Sequence, residues 1–133
     1  MKKVFCIGTF DILHSGHINF LKDAKEQGDY LLIIVVPDRA VRENKGRNPK
    51  NNQKNRIKNL KKINVVNEVL STDGVETTLR LLSKIEPNIY ALGYDQNTSV
   101  ISKIIKGIDK LGLKMSFYKS KEFAEGIHTS DLY

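Results

Sequence analysis

Residues 3–17 read KVFCIGTFDILHSGH, and they predict how the rest of the chain is arranged. The first seven residues are mostly apolar and β-prone, a pattern typical of a buried strand. A turn at Gly8, Thr9, Phe10 and Asp11 follows, and apolar residues at positions 18, 21 and 24 then indicate a helix. This arrangement binds anions, because the unpaired N–H groups and the positive end of the helix dipole meet at the turn.

Two histidines, His14 and His17, stand at the start of that helix, where they add hydrogen-bond donors and, when protonated, positive charge. The segment has neither the GK[ST] ending of a Walker A loop nor the spacing of the GxGxxG fingerprint. Its pattern, G-T-F-D-x-x-H-x-G-H, resembles the signature of the cytidylyltransferase-like nucleotidyltransferases. That family includes glycerol-3-phosphate cytidylyltransferases and the archaeal type of FAD synthase.

Strand and helix patterns alternate along all 133 residues, which predicts one α/β domain (1–133) with a Rossmann-like, doubly wound, five-stranded parallel sheet. We expect strands at residues 3–9, 30–37, 65–70, 88–93 and 113–118, and helices at 16–27, 53–63, 74–86 and 100–111. Residues 38–52 are expected to form a mobile basic loop, and a last helix begins near residue 127. If the first and fourth strands are neighbours, Asp11 and Asp95 face one cleft.

The net charge of +7 is concentrated in one region and suits a polyanionic partner, either nucleic acid or a nucleoside triphosphate. Residues 39–62 contain ten lysines and arginines but a single acidic residue, Glu43. The chain has no tryptophan and this region has no stacking aromatics, so we expect no nucleic acid partner. The longest apolar run, residues 30–36, is too short for a membrane span, and Cys6 is the only cysteine. We therefore expect a cytoplasmic protein.

The family resemblance extends to three further segments. Lys45-Gly46-Arg47 is similar to the K-G-R stretch of the archaeal FAD synthases, which implies that Lys45 closes over the triphosphate. Arg56 resembles the arginine that follows this stretch. Residues 92–96 (LGYDQ) and 125–130 (EGIHTS) resemble two nucleotide-binding motifs of the family. The resemblance thus implies a nucleotide site at Gly8, Thr9, Phe10, Asp11, His14, His17, Lys45, Arg56, Gly93, Asp95, Gln96, Thr129 and Ser130.

The chain also departs from the family pattern. Phe123 stands where the last motif usually has an arginine, and His128 stands where it has a serine. Asn64 and Asn67 replace an arginine and an aspartate that commonly follow the middle helix. These changes leave the acceptor substrate open.

The resemblance implies nucleotidyl transfer, with His14, His17 and Lys45 as the catalytic residues. The main prediction is transfer of CMP from CTP to a small phosphorylated alcohol such as glycerol 3-phosphate, with release of pyrophosphate. The alternative is adenylyl transfer from ATP to FMN, and the alternative of another class is a non-catalytic nucleotide or RNA binder. Mg²⁺ is the expected cofactor, and Asp11 either coordinates it or orders the turn. Relatives pair as dimers, which implies a homodimer.

Overall fold

Five parallel strands form the central sheet of this computed structural model, in the order β3-β2-β1-β4-β5. The structure describes residues 1–93 and 98–120. The strands are β1 (Lys3–Gly8), β2 (Tyr30–Val35), β3 (Glu68–Ser71), β4 (Ile89–Leu92) and β5 (Ser116–Lys119). The helices are α1 (Ser15–Glu26), α2 (Asp38–Lys45), α3 (Gln53–Lys61), α4 (Val75–Ile85) and α5 (Thr98–Leu111). The predicted α/β class and parallel sheet are confirmed.

Strand β1 lies at the centre of the sheet and pairs with β2 on one side and β4 on the other. The chain first builds outward through β2 and β3, then returns to the other side of β1 for β4 and β5. The order of strands therefore reverses between β1 and β4, and ligands bind at such a switch point in open α/β sheets. The expectation that the first and fourth strands are neighbours is confirmed.

Helices cover both faces of the sheet and divide the core into two clusters. Phe5 and Ile7 of β1 point to the face covered by α4 and α5. Val4 and Cys6 point to the opposite face, which α1 and α3 cover. Cys6 is fully buried and burial raises the pKa of its thiol, so it packs as a small apolar group. Among the described residues, no helix is both long and apolar enough to cross a membrane.

The expectation of a long mobile loop over residues 38–52 is wrong in its first half, which forms helix α2. Val41 is the only buried residue of this helix, so the sequence shows no apolar residues repeated at helical spacing. Its end signals are ordinary ones: Asp38 lies in the first turn, Lys45 in the last, and Gly46 follows at φ 72°.

Two strands are shorter and lie further along the chain than the apolar runs predict. Val65 and Val66 pack partly buried against the core before β3 begins at Glu68. The Asn67 side chain accepts a hydrogen bond from the Leu31 N–H at 2.8 Å, and this contact leads into the β2–β3 ladder. Strand β5 likewise begins at Ser116, because Leu113 and Met115 pack against the α4–α5 cluster first.

Gly93 sets how closely α1 approaches the end of β4. A Cβ atom at this position would overlap the ring of Phe20, and it would lie 2.8 Å from Oγ of Ser120. Phe20 is fully buried and belongs to the helix that begins beside His14 and His17. The absence of a side chain at position 93 therefore fixes the position of the histidine-bearing helix against the sheet.

We predict that Gly93→Ala lowers the free energy of unfolding by about 1–3 kcal/mol, because the added methyl group overpacks the contact with Phe20. Urea denaturation monitored by circular dichroism measures the change. Gly74→Ala is the matched control, because the nearest atom to a Cβ there is Nη2 of Arg39 at 3.5 Å. Adding Phe20→Leu to Gly93→Ala should recover part of the loss. Equal losses in the two alanine variants would contradict this explanation.

Candidate functional site

The turn after β1 is held in a strained conformation. Phe10 has φ 50°, a value in the left-handed region that costs a non-glycine residue about 1–3 kcal/mol. Its ring is fully buried and folds back over Gly8, where a Cβ atom would lie 2.6 Å from Cε2 of Phe10. The glycine therefore makes room for the aromatic ring, and the buried ring fixes the path of the turn.

The two histidines cap the helix that follows. His14 is the N-cap residue of α1, and its Nδ1 accepts a hydrogen bond from the Gly16 N–H at 3.0 Å. His17 is the third residue of the helix, and its Nδ1 accepts from the His14 N–H at 3.2 Å. This reciprocal arrangement is a capping box made of histidines. In the sequence, the three-residue spacing of the two histidines is the signal for this capping box.

The capping bonds decide which ring nitrogen carries the proton. A nitrogen that accepts a hydrogen bond is unprotonated, so each neutral imidazole carries its proton on Nε2. Protonating Nδ1 of either ring would remove one of the two caps. A neutral ring held in this way presents its Nε2–H as a hydrogen-bond donor.

The rings of the same histidines pack against the turn in tilted contacts. The His14 and His17 ring centroids are 4.0 Å apart, and His17 lies 5.7 Å from the ring of Phe10. His14 is exposed, whereas His17 exposes only 3% of its surface. The three rings follow one another from the core to the surface in the order Phe10, His17, His14. His14 is therefore the outermost ring.

A fully buried arginine ties the turn to the chain that follows β2. Arg56 of α3 donates from Nη1 to the Thr9 carbonyl at 2.9 Å and from Nε to the Asn51 carbonyl at 3.0 Å. Its Nη2 lies 2.6 Å from Oδ1 of Asp38, at the start of α2. In this conformation the predicted nucleotide-binding guanidinium contacts protein groups, so the structure gives Arg56 a positioning role. Direct contact with a nucleotide stays a prediction.

Asp11 binds the other side of the same connection. Its two carboxylate oxygens accept the Lys50 and Asn51 N–H groups at 2.8 and 2.7 Å, and its carbonyl accepts from Nδ2 of Asn51 at 2.7 Å. Desolvation alone would raise the pKa of Asp11, but these hydrogen bonds and the Arg56 charge outweigh it and lower that pKa below its usual value. Of the two predicted roles, this geometry favours ordering of the turn.

Asp11 does not stand in a ready-made metal site. Within residues 1–93 and 98–120, no group of three or more His, Cys, Asp or Glu side chains is placed to hold a metal ion. Mg²⁺ commonly binds through one or two carboxylates together with substrate phosphates and water, so such a cluster is not required. Metal coordination by Asp11 stays a prediction.

The carbonyl oxygens of the turn are directed to donors inside the protein. The Gly8 carbonyl accepts from the Val36 N–H at 3.1 Å, the Thr9 carbonyl from Arg56, and the Asp11 carbonyl from Asn51. Thr9 itself is buried, with 2% of its surface exposed. Because these negative ends are engaged within the protein, the positive end of the α1 dipole is the feature of this turn that suits an anion.

The remaining predicted site residues fall into two groups. Lys45 is exposed at the last turn of α2, on a helix rather than in the predicted loop, and Gly93 follows β4 on the other side of β1. Four predicted residues lie outside the described part of the chain: Asp95, Gln96, Thr129 and Ser130. The missed contributors are Asp38 and Asn51, which act only through contacts that distant segments make with the turn.

Comparison with known proteins identifies the family. Residues 5–132 match the family described as cytidylyltransferase-like, which is nearly the whole chain. The chain belongs to the cytidylyltransferase-like family. The resemblance that begins at the G-T-F-D-x-x-H-x-G-H pattern is thereby confirmed, and so is the expectation of a nucleotidyltransferase-type domain.

Curated relatives of this cytidylyltransferase-like domain are named FAD synthase. The Thermococcus sibiricus protein is 46% identical over 93 residues, which cover 70% of this chain and 63% of that protein. The Thermoplasma volcanium protein is 30% identical over 131 residues, covering 98% of this chain and 89% of its own length. The segment shared with the Thermococcus sibiricus protein thus spans slightly less than two thirds of that protein's length.

A solved structure agrees with the fold. The crystal structure of a Thermoplasma volcanium protein, described as a lipopolysaccharide core biosynthesis protein, superposes with a TM-score of 0.75 at 30% identity. The match covers 92% of this chain and 98% of that chain. The arrangement of the sheet around the turn is therefore common to this cytidylyltransferase-like domain and its solved relative.

We predict that Arg56→Met lowers the free energy of unfolding by about 3 kcal/mol, because it leaves the buried Thr9 carbonyl, the partly buried Asn51 carbonyl and the Asp38 carboxylate without the guanidinium. This is the lower end of the range for a broken buried pair, since the Asp38 side chain is 32% exposed. Guanidinium chloride denaturation measures the change in the free energy of unfolding.

Lys58→Met is the matched control for Arg56→Met, because Lys58 lies on the same helix and is exposed. Its stability should stay within about 0.5 kcal/mol of the parent protein. If Arg56→Met unfolds at the same denaturant concentration as Lys58→Met, then the guanidinium does not hold the turn in place.

Proposed function

We propose that this chain is a nucleotidyltransferase that transfers AMP from ATP to FMN and so forms FAD. The observation that carries the proposal is the turn with its histidine capping box, which lies at the carboxyl end of β1, beside the switch point between β1 and β4. Family membership supports the reaction class, and the names of the relatives support the substrates. The main prediction from the sequence, transfer of CMP to a phosphorylated alcohol, is less well supported than its adenylyl alternative, because the relatives that match this chain are named FAD synthase.

The reaction is an in-line displacement at phosphorus. A phosphate oxygen of FMN attacks the α-phosphorus of ATP and forms a new phosphoanhydride bond. The bond between the α-phosphorus and the α,β-bridging oxygen breaks, and pyrophosphate leaves with that oxygen. Protein contributes mainly by holding the two phosphates in line and by stabilising the negative charge that develops on the leaving group.

The residues that the structure describes are suited to stabilising charge on the phosphates. The Nε2–H groups of His14 and His17 are hydrogen-bond donors fixed in direction by the capping bonds, so they need no rearrangement as charge develops. The start of α1 adds its dipole, and Lys45 at the end of α2 adds a positive charge. Asp11 is the residue that would hold Mg²⁺, and the ion would supply positive charge to the phosphates.

The remaining assignments rest on the resemblance. Asp95, Gln96, Thr129 and Ser130 are proposed as further nucleotide contacts because their segments resemble the family motifs. A homodimer is proposed on the same ground, and a cytoplasmic location is proposed from the short apolar runs and the single cysteine.

We predict that purified protein with Mg²⁺ forms FAD and pyrophosphate from ATP and FMN. Each of ATP and CTP is paired with FMN, glycerol 3-phosphate or ethanolamine phosphate, and products are separated by chromatography. Formation of a CDP-alcohol without FAD would reverse the choice of substrates. If no pair gives a product and the protein binds RNA tightly, the chain is a non-catalytic binder.

We predict that His14→Asn lowers the turnover number about 10²-fold, the usual effect of removing one transition-state hydrogen-bond donor. Asparagine is among the best N-cap residues, so its side-chain oxygen replaces Nδ1 and the variant should keep its melting temperature. The substitution thus removes the Nε2–H donor and preserves the cap. The turnover number is measured from the steady-state rate of pyrophosphate release.

Asn19→Ala is the control for His14→Asn, because Asn19 is exposed on the same helix and forms no part of the capping box. It should turn over at the parent rate. A folded His14→Asn variant with parental turnover would show that His14 is only a helix cap.

A further inference from the structure

Helix α3 lies in a segment whose charge is all of one sign. It is the only one of the five described helices without an acidic residue. Residues 44–67 contain eight lysines and arginines and no aspartate or glutamate. Arg56 is buried and paired with Asp38. The other seven are exposed: Lys45, Arg47, Lys50, Lys54, Lys58, Lys61 and Lys62.

Four of these lysines do not hold the fold together. The side chains of Lys50, Lys54, Lys58 and Lys61 form no ion pair or hydrogen bond with any residue that the structure describes. We call these four the α3 lysine surface. Lys54 lies in the first turn of α3, where a positive charge opposes the helix dipole, and it is four residues from the like charge of Lys58. Helix stability therefore does not account for the charge of Lys54.

The start of α3 is fixed beside the turn after β1. Arg56 donates to the Thr9 carbonyl, and the Lys50 N–H donates to Asp11. Nε2 of Gln53 donates to the carbonyl of Val35, the last residue of β2, at 3.0 Å. The α3 lysine surface therefore begins at the carboxyl edge of the sheet, next to the turn and the histidine capping box.

Acidic residues do little to cancel this charge. Asp38 and Glu43 are the only acidic residues between positions 30 and 67. Asp38 is paired with Arg56, and Oε1 of Glu43 lies 3.7 Å from Nε of Arg39. The field on this side of the turn is therefore positive.

Such a field acts on an anion before any contact is made. It extends over about one Debye length, which is about 30 Å at 0.01 M ionic strength and about 8–10 Å near physiological ionic strength. Charges of one sign beside a cleft raise the association rate of an oppositely charged ligand by about 10- to 10³-fold. A nucleoside triphosphate carries several negative charges, so it is the kind of ligand that this surface attracts.

We infer that the α3 lysine surface steers the nucleoside triphosphate toward the turn after β1. The inference rests on the proposed function, since it takes this turn as the triphosphate site. The four lysines raise the rate of association without touching the bound nucleotide. His14, His17 and Lys45 then act on the bound phosphates.

Stopped-flow fluorescence tests the inference with Mg²⁺ present and without FMN, so no turnover is needed. The probes are mant-ATP, an ATP that carries a fluorescent methylanthraniloyl group, and mant-adenosine, which lacks the phosphates. The test variant combines Lys50→Gln, Lys54→Gln and Lys58→Gln, because glutamine and lysine have nearly equal helix propensities.

The matched control combines Lys84→Gln, Lys110→Gln and Lys114→Gln. All three lysines are exposed, and they lie near the ends of α4 and α5, where the chain enters β4 and β5 at the opposite edge of the sheet. The control thus removes the same net charge as the test variant but leaves the field at the turn in place. Circular dichroism confirms that both variants fold.

We expect the test variant to bind mant-ATP with an association rate constant about fivefold lower than that of the parent protein at about 0.01 M ionic strength. The difference should shrink at about 0.15 M, because the Debye length falls to about 8 Å. The control should associate at close to the parent rate. Mant-adenosine should associate with all three proteins equally, because it offers the field no charge.

The outcomes separate this inference from the proposed function. FAD synthesis by the parent protein, with equal mant-ATP association in the test variant and the control, overturns the inference and leaves the function intact. Slower, salt-dependent mant-ATP association in the test variant alone, without FAD synthesis by the parent protein, supports steering and overturns the function. Parental mant-ATP association with weaker binding of an RNA duplex in the test variant overturns the inference, because the lysines would then serve a nucleic acid.

Discussion

The geometry of the site depends on one buried guanidinium. Arg56 has no exposed surface, and a buried charge is tolerated only when partners replace the water it has lost. Its partners come from three separate places: the turn after β1, the start of α2 and the residue before the N-cap of α3. Moving any of them leaves a charge or a carbonyl unpaired, so the three segments keep one relative position.

That constraint makes a strained turn possible. Phe10 adopts a left-handed conformation that a non-glycine residue avoids, and its buried ring, the Thr9 carbonyl bond to Arg56 and the Asp11 bonds to Lys50 and Asn51 hold it there. The result is a turn with its carbonyl groups directed into the protein and two capped histidines above it. The turn is thus held in one conformation by contacts within the protein, which is the preorganisation that the proposed phosphate site requires.

Strand β1 separates two regions of the sheet edge with different chemistry. On the β4 side, Gly93 allows α1 to pack closely, and the histidine capping box lies at the start of that helix. On the β2 side, α2, α4 and α5 enclose a cavity with an apolar wall and a polar rim. The two regions differ because α1 and α3 pack on one face of the sheet, while α4 and α5 pack on the other.

The sequence by itself determined the α/β class, the order of most elements and the place of the turn between β1 and α1, because these depend on local patterns: apolar runs of strand length, helical spacing and the G-T-F-D-x-x-H-x-G-H signature. It did not predict α2, since a helix with one buried residue shows no apolar period. Only the tertiary structure showed which protein groups Arg56 and Asp11 contact, because the sequence is equally compatible with contacts to a ligand. Their partners lie up to 47 residues away, and no local pattern records which backbone groups a distant fold brings within hydrogen-bond distance.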